Sequence, residues 1–258
     1  MSIHVIFNQH EGGFFSNFNK VVTHLAHTED VSRVTWNLKG QPYGAFAYEC
    51  EELFSNLFEQ YNTEKQISNT SIVTDFKYLN YTGKNTHDLY LGENTWRYNL
   101  NEVYKKYFHP TKILQDAINT VDSYFSKIEG VKVGILKRNQ LLKCEQVSNC
   151  MPCVDSYLNM LKSIDSVNLC VLSIDNNTDL NLFKTTIDTK ITYSTGIRRT
   201  NKDTDTEPHF TPSSIYDAIN YFIDVYMLSK CNYLIHPVSN MATAALYFNP
   251  NLKSVYLQ

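Results

Sequence analysis

The chain has 258 residues, and its 23 Lys and Arg residues against 26 Asp and Glu residues leave a formal net charge of −3. This near balance gives no strong field for holding a polyanion, so we do not expect nucleic-acid binding. With 43% hydrophobic and 19% charged residues the chain can bury a core, which excludes a disordered or fibrous protein. No apolar run approaches the roughly 20 residues that span a bilayer, and the first residues lack the pattern of a signal peptide. We therefore expect a cytoplasmic protein without a membrane span.

The predicted elements of the first half begin with a strand, a glycine turn and a helix. In chain order they are strand 4–8, helix 14–25, strand 33–38, helix 53–61, strand 72–79 and a helix from Pro110 that ends by Gly130. The helix at 53–61 is predicted because its apolar residues recur at helical spacing. Pro110 is expected at the first helical position, where its missing N–H costs nothing.

After Gly130 strands and helices alternate regularly. The predicted order is strand 131–137, helix 154–161, strand 169–174, helix 180–186, strand 190–193, helix 215–228, strand 233–236, helix 241–247 and strand 254–257. This alternation is typical of a parallel sheet with helices on both faces. We therefore predict two α/β domains, 1–129 and 130–258.

In such sheets ligands bind beyond the carboxyl ends of the strands. Lys137 and Arg138 follow one predicted strand and form either an anion site or a solvated basic edge. Asp175 and Asn176 follow another, and they could bond a ribose or cap the next helix.

Two more polar loops follow strands at the same predicted edge. His236 is followed by Ser239 and Asn240 at the start of a helix, which is either a phosphate site or an ordinary helix cap. Arg198 and Arg199 follow the strand at 190–193. Together these loops favour a diphosphate group held by arginine and a helix N-terminus, without a metal ion.

Other nucleotide and metal motifs give weaker indications. The sequence has no G-x-x-x-x-G-K-[ST] loop and no G-x-G-x-x-G after a strand, which argues against a kinase, an ATPase or a nicotinamide dehydrogenase. Asp203 and Asp205 could form the D-x-D of a metal-dependent sugar transferase or lie in a solvated loop. Cys150 and Cys153 form a lone C-x-x-C without a fourth ligand nearby, so we expect unreactive thiols, no metal and no cofactor.

One long run carries a family resemblance. Asp224-Val-Tyr-Met-Leu-Ser-Lys-Cys-Asn-Tyr-Leu-Ile-His-Pro-Val-Ser-Asn240, continuing to Pro250, resembles the signature D-x-x-x-L-S-x-C-D-Y-x-I-x-x-x-S-S/N of fucosyltransferase-like enzymes. Val171-Leu-Ser-Ile-Asp-Asn176 and Gly196-Ile-Arg-Arg199 are similar to a strand and an arginine segment of the same family. Near the start, Gly12-Gly-Phe-Phe-Ser-Asn-Phe-Asn19 and Glu51-Glu-Leu-Phe-Ser-Asn-Leu-Phe-Glu59 resemble segments of related small proteins, some encoded by large DNA viruses.

The resemblance implies a GT-B-like fold, with two Rossmann-type domains whose parallel sheets face each other across a cleft. It also implies an inverting, metal-independent glycosyltransferase with a nucleotide-sugar donor and a glycan acceptor. The donor would bind to the second domain, at Arg138, Asp175, Arg198, Asp224, His236, Ser239, Asn240 and Met241. The acceptor would bind to the first domain, at Gly12, Gly13, Phe14 and Asn17. The catalytic candidates are Glu11 or His10 as the base, with Arg138 at the leaving group.

One departure from the family leaves the donor open. The family's donor-binding strand usually reads G-V-H-x-R-x-T-D, whereas Gly134-Ile-Leu-Lys-Arg-Asn-Gln-Leu141 retains only the glycine and Arg138. The donor could therefore be GDP-fucose or a UDP-sugar such as UDP-xylose. The same loss motivates an alternative, a catalytically silent relative that binds a glycan or a protein.

Overall fold

The structure is a computed structural model, and it describes residues 2–8, 14–38, 52–61, 67–73, 90, 94–138, 152–194 and 214–257. Contacts divide the chain into two compact units, Met1–Asn119 with Thr211–Ile219, and Thr120–Phe210 with Asn220–Gln258. A domain boundary at residue 130 stays a prediction. Within the described ranges, no helix has the length and apolar character needed to cross a membrane.

The first unit contains a small parallel sheet and short flanking helices. Its elements are β1 (Ser2–Asn8), α1 (Phe14–Ala26), β2 (Val31–Asn37), α2 (Phe54–Leu57), β3 (Phe58–Glu59), β4 (Ile67–Val73), α3 (Thr95–Tyr107) and β5 (His109–Pro110). The sheet has the order β2-β1-β4, and β3 pairs with β5 in an antiparallel bridge. Helix α4 (Lys112–Phe125) follows, and the contact boundary between the two units falls inside it.

A cluster of aromatic rings forms the core of this unit. Phe14 and Phe18, one helical turn apart on α1, lie against Trp36 of β2 at ring-centroid distances of 5.5 and 6.4 Å. Phe18 also packs on Phe108, at 5.1 Å. All four residues are at most 3% exposed. Because such rings bury large apolar areas and pair edge to face or offset, they fix α1 on the sheet.

The prediction of a single helix over residues 53–61 is wrong. Helix α2 ends at Leu57, and Phe58 takes an extended conformation with φ −135° and ψ 143°. Phe58 then pairs with Pro110 in the bridge between β3 and β5, and its ring packs 5.1 Å from Phe108. Tertiary packing of this ring and the strand pairing therefore override the helical spacing. Tyr61, expected on the buried stripe, is 39% exposed.

Two other boundaries in the first half differ from expectation, and one helix was not predicted. Pro110 lies in β5 instead of opening a helix, and α4 begins two residues later at Lys112. Strand β4 begins at Ile67, and residues 74–79 of the predicted strand lie outside the described residues. Helix α3 was not predicted, because its run of Tyr, Asn and Lys residues has little apolar periodicity.

The second unit confirms the alternation of strands and helices predicted after Gly130. The elements from residue 131 onward are β6 (Val131–Lys137), α5 (Val154–Lys162), β7 (Val167–Ile174), α6 (Asn177–Thr186), β8 (Lys190–Tyr193), α7 (Ile215–Ser229), β9 (Tyr233–His236), α8 (Asn240–Phe248) and β10 (Lys253–Tyr256). The contact boundary also falls inside α7, whose residues up to Ile219 belong to the first unit. All five strands are parallel, in the order β10-β9-β6-β7-β8. These two separate parallel sheets confirm the α/β class.

Alternate side chains of β6 point to opposite faces of the sheet. Val133 and Ile135 belong to a fully buried cluster with Tyr157 of α5 and Phe183 of α6. On the other face, Gly134 allows α7 to approach closely. A Cβ atom at residue 134 would lie 3.0 Å from Cδ2 of Leu228 and 3.1 Å from Cδ1 of Leu234.

We expect Gly134→Val to lower the free energy of unfolding by about 1–3 kcal/mol, because the added methyl groups overpack the contact with Leu228. Urea denaturation of the variant and the wild type measures the difference. In a Leu228→Ala background the valine at position 134 has more room, so Gly134→Val should lower the free energy of unfolding by less. An equal cost in both backgrounds would show that the contact with Leu228 is not the cause.

Candidate functional site

The order of the strands in the second sheet marks one place for a ligand. The chain runs from β6 outward through β7 to β8, and then returns to place β9 on the other side of β6. Open parallel sheets bind ligands where the order reverses in this way, outside the carboxyl ends of the two strands. Here that place lies beyond Lys137 of β6 and His236 of β9.

Arg138 connects the ends of three neighbouring strands at this point. Lys137 pairs in register with Ile174, so the next residues, Arg138 and Asp175, lie across from each other. The Nε atom of Arg138 is 3.6 Å from Oδ2 of Asp175, and its NH1 group donates to Sδ of Met241 at 2.9 Å. Arg138 thus joins the connection after β7 to the helix after β9.

The charge on Arg138 is held in a poorly hydrated place. Its side chain is 13% exposed and that of Asp175 is 5% exposed. Burial lowers the pKa of Arg138 below its usual value, while electrostatic interaction with Asp175, and to a smaller extent with Tyr221 and Asp224, opposes this change. An arginine remains protonated at neutral pH in proteins. A guanidinium with little water around it interacts strongly with any anion that reaches it.

Asp224 supports this arrangement from the interior. It lies on α7, is fully buried, and accepts a hydrogen bond from the hydroxyl of Ser173 on β7. Ser173 and Asp175 are two residues apart and therefore share one face of the sheet. The structure thus shows Asp224 as a buried carboxylate close to Arg138, and a direct contact of Asp224 with a donor stays a prediction.

The turn between β9 and α8 has two buried polar side chains. His236 is fully buried, with Nδ1 2.9 Å from the carbonyl oxygen of Pro237 and Nε2 2.7 Å from the hydroxyl of Ser254. Because a carbonyl oxygen only accepts, Nδ1 donates to Pro237, and Nε2 forms the second hydrogen bond with Ser254. Ser239, 3% exposed, caps α8 by accepting a hydrogen bond from the backbone N–H of Met241.

The helix-cap interpretation of this turn is therefore confirmed, and the phosphate interpretation is compatible with it. Asn240, the first residue of α8, is exposed at the carboxyl edge of the sheet. A helix N-terminus carries partial positive charge, which favours an anion beside Asn240. Arg138 and the start of α8 thus supply positive charge on both sides of the point where the strand order reverses.

Asp175 and Asn176, the two residues that follow β7, have different roles. Asn176 is fully buried and caps α6, since its side chain accepts a hydrogen bond from the N–H of Asp179 at 3.1 Å. Asp175 instead pairs with Arg138. Lys137 does not act as a second exposed cation, because it is 4% exposed and forms an ion pair with Asp179.

Several predicted residues lie outside the described residues. They are the base candidates His10 and Glu11, the acceptor residues Gly12 and Gly13, the arginines Arg198 and Arg199, the D-x-D residues Asp203 and Asp205, and Cys150. The described residues contain no group of three or more His, Cys, Asp or Glu side chains placed to hold a metal ion. Cys153 is exposed, and hydrogen bonds with Ser156 lower the pKa of its thiol.

The two acceptor candidates that are described lie in the interior of the first unit. Phe14 is 1% exposed and belongs to the aromatic core, and Asn17 is fully buried. The same helix, α1, carries Lys20 at 8% exposure, and burial lowers the pKa of this lysine to about 8. Sequence reasoning missed Lys20, although Asn17, Lys20 and His24 recur at helical spacing and so form a polar stripe.

These two units define a class of fold before any relative is considered. A doubly wound parallel sheet, preceded in the chain by a second parallel sheet, is an α/β fold. The chain is similar in structure to the fucosyltransferase NodZ from Bradyrhizobium, with a TM-score of 0.54 and 13% identity over 97% of this chain and 94% of that chain. NodZ soaked with GDP-fucose gives a TM-score of 0.55 with 11% identity, over 97% of this chain and 94% of that one.

Two further structures share the fold. A mutant of Arabidopsis thaliana FUT1 in complex with GDP gives a TM-score of 0.50 with 11% identity, over 100% of this chain and 70% of that chain. POFUT1 in complex with GDP gives 0.51 with 9% identity, over 98% of both chains. No family model and no curated protein matches the sequence. At these identities the similarity establishes the GT-B fold.

We expect Ser173→Ala to lower the free energy of unfolding by about 1.5–3 kcal/mol, because the variant removes a hydrogen bond to the buried carboxylate of Asp224. Urea denaturation measures the change. Ser126→Ala is the matched control, since that serine is exposed and bonds only a nearby carbonyl oxygen. Equal effects of the two substitutions would show that the bond between Ser173 and Asp224 contributes nothing particular.

Lys20 makes stability depend on pH. The pKa falls from 10.5 in the unfolded chain to about 8 in the folded one, so between these pH values the unfolded state binds more protons. This contribution therefore raises the free energy of unfolding as the pH increases from about 8 to 10.5. At pH 7 the buried charge destabilises the fold, and Lys20→Met should raise the free energy of unfolding by on the order of 1–3 kcal/mol.

Urea denaturation of Lys20→Met across this pH range tests the effect, and its curve should rise less steeply than that of the wild type. Lys112→Met is the control, since the Lys112 side chain is 88% exposed. Parallel curves for the Lys20 variant and the wild type would contradict the assignment of a lowered pKa to Lys20.

Proposed function

We propose that the protein is an inverting, metal-independent glycosyltransferase that moves a sugar from a nucleoside-diphosphate donor to a glycan hydroxyl. The observation that carries this proposal is the placement of Arg138, a buried cation opposite the N-terminus of α8 at the point where the strand order reverses. The similar structures support it, because NodZ is named with GDP-fucose and both FUT1 and POFUT1 are named with GDP. The donor is GDP-fucose or a UDP-sugar such as UDP-xylose.

Arg138 would act at the leaving group. When the bond between the sugar and the diphosphate breaks, negative charge grows on the departing phosphate oxygen. A guanidinium that is already in place and poorly hydrated stabilises this charge more in the transition state than in the ground state. The partial positive charge at the start of α8 adds to the same effect. These two groups perform the role for which other transferases use a divalent ion.

The acceptor reacts on the opposite face of the sugar, which inverts its anomeric centre. A base takes the proton from the acceptor hydroxyl as the new bond forms. Glu11 and His10 are the proposed bases, and Gly12 and Gly13 are the proposed acceptor contacts. Phe14 and Asn17, which the resemblance also implied, are buried in the interior of the first unit and are not proposed again. Of the donor residues, Asp175 and Met241 hold the Arg138 side chain. Arg198 lies outside the described residues and is proposed from its place after the strand at 190–193 and from the resemblance.

A catalytically silent relative is the alternative, and one residue favours it. Leu136, at the position of the family's histidine, is fully buried next to Gly134 and contributes no polar group. In this alternative the protein would bind a glycan or a partner protein without transferring a sugar. Calorimetric titration with GDP and UDP separates the two functions, since the silent protein would bind neither nucleotide.

We expect Arg138→Ala to reduce turnover with the true donor by about 10²–10³-fold, the usual cost of losing one donor that stabilises a developing anion. Arg138→Lys should recover only part, because an ammonium group cannot form two parallel bonds to a phosphate. Hydrolysis of a panel of nucleotide-sugars, at a temperature where each variant is folded, measures these effects.

Arg33→Ala, on the exposed side of β2, is the matched control and should leave turnover unchanged. Near-normal turnover of Arg138→Ala would transfer the leaving-group role to Arg198 or Arg199. Turnover that a chelator abolishes would contradict metal independence and favour the site at Asp203 and Asp205.

A further inference from the structure

Two neighbouring residues at the end of β6 hold the same connection. Lys137 is the last residue of β6 and Arg138 directly follows it. Because side chains alternate along an extended chain, Lys137 and Arg138 point to opposite faces of the sheet. Lys137 forms an ion pair with Oδ2 of Asp179 in the first turn of α6, and Arg138 lies 3.6 Å from Oδ2 of Asp175 just before that helix. Both cations therefore bind carboxylates within five residues of each other.

The ion pair between Lys137 and Asp179 is shielded from water. The Lys137 side chain is 5% exposed and that of Asp179 is 18% exposed. A buried charge that loses its partner is strongly destabilised, so the local structure is constrained to keep the two groups together. Lys137 thereby fixes the first turn of α6 against the end of β6.

The first turn of α6 is rigidly connected to Asp175. The side chain of Asn176 accepts a hydrogen bond from the N–H of Asp179 at 3.1 Å. Its backbone carbonyl oxygen accepts one from the N–H of Leu180 at 3.0 Å. Asp179 is thus held at its backbone by Asn176 and at its carboxylate by Lys137. Since Asp175 directly precedes Asn176, a shift of Asp179 is transmitted to Asp175.

Tyr157 lies in the electrostatic field of both carboxylates. It is fully buried on α5, and burial together with the charges of Asp175 and Asp179 raises the pKa of its hydroxyl. Within the described ranges this hydroxyl has no hydrogen-bond partner. One of these carboxylates pairs with Lys137, and the other lies at the edge where Arg138 meets Asp175.

We propose that Lys137 is a positioning residue for the diphosphate site. Through Asp179 and the first turn of α6 it holds Asp175 in place, and Asp175 in turn sets the direction of the Arg138 guanidinium. The role of Arg138 toward a diphosphate rests on the proposed function. The geometric coupling between Lys137 and Arg138 does not depend on the proposed function, and it is tested separately.

The coupling is tested first without any nucleotide. In a 15N-labelled protein the Nε–Hε resonance of Arg138 is identified by its loss in Arg138→Ala. We expect this resonance to shift or broaden in both Lys137→Met and Asp179→Asn, because each removes the ion pair. Lys132→Met, on the same strand but at its amino end, should leave it unchanged. An unchanged resonance in Lys137→Met and Asp179→Asn would overturn the proposal.

The consequence for binding is tested with GDP and UDP by calorimetry. With the nucleotide that the wild type binds, Lys137→Met should raise the dissociation constant about 5–50-fold, since small displacements of a binding group cost up to about 100-fold. In an Arg138→Ala background the same substitution should have no further effect. Equal effects in both backgrounds would indicate a merely structural role and overturn the proposal.

The two proposals fail in different ways. A wild type that binds neither GDP nor UDP overturns the proposed function, while the Arg138 resonance still decides whether Lys137 positions it. If Lys137→Met does not fold, Asp179→Asn carries both measurements, because asparagine has the shape of aspartate and keeps the backbone contacts of the helix start. A response to Lys132→Met equal to that of Lys137→Met would also overturn the proposal.

Discussion

The buried ion pair between Arg138 and Asp175 is the constraint on which the second unit depends. A guanidinium that is 13% exposed at the end of a strand needs nearby negative charge, since an unpaired buried charge is unstable. Asp175 supplies it from β7, and Asp224 supplies a second carboxylate from α7. The ends of β6 and β7 and the start of α8 are therefore held in one arrangement.

Packing on the two faces of the sheet supports this polar edge. On one face Gly134 brings α7 close enough for Asp224 to reach Ser173. On the other face Tyr157 and the ion pair of Lys137 with Asp179 fix the start of α6. Strand β6 thus leads from the apolar core to a charged site, because its side chains alternate between the two faces of the sheet. The free energy of the core is what makes the buried charges tolerable.

The two halves of the chain differ in how far the sequence predicts them. In the second half, apolar periodicity and secondary structure agree because the three central strands are largely buried, so the elements after Gly130 were predicted within a few residues. In the first half Phe58 lies in a helical pattern but forms a strand bridge, since its ring completes the aromatic core. The spacing of neighbouring residues cannot predict this contact, because Phe108, which packs on Phe58, is 50 residues away in the chain.

By itself the sequence determined the α/β alternation after Gly130 and the polar residues at the ends of the strands, because these follow from the local periodicity and chemistry of neighbouring residues. Only the tertiary structure decided which of them meet. It placed Arg138 against Asp175 and Met241, moved Lys137 to the opposite face with Asp179, and buried Asp224 beside Ser173. Strand order and register fix these pairs, and both arise from contacts between segments that are far apart in the chain.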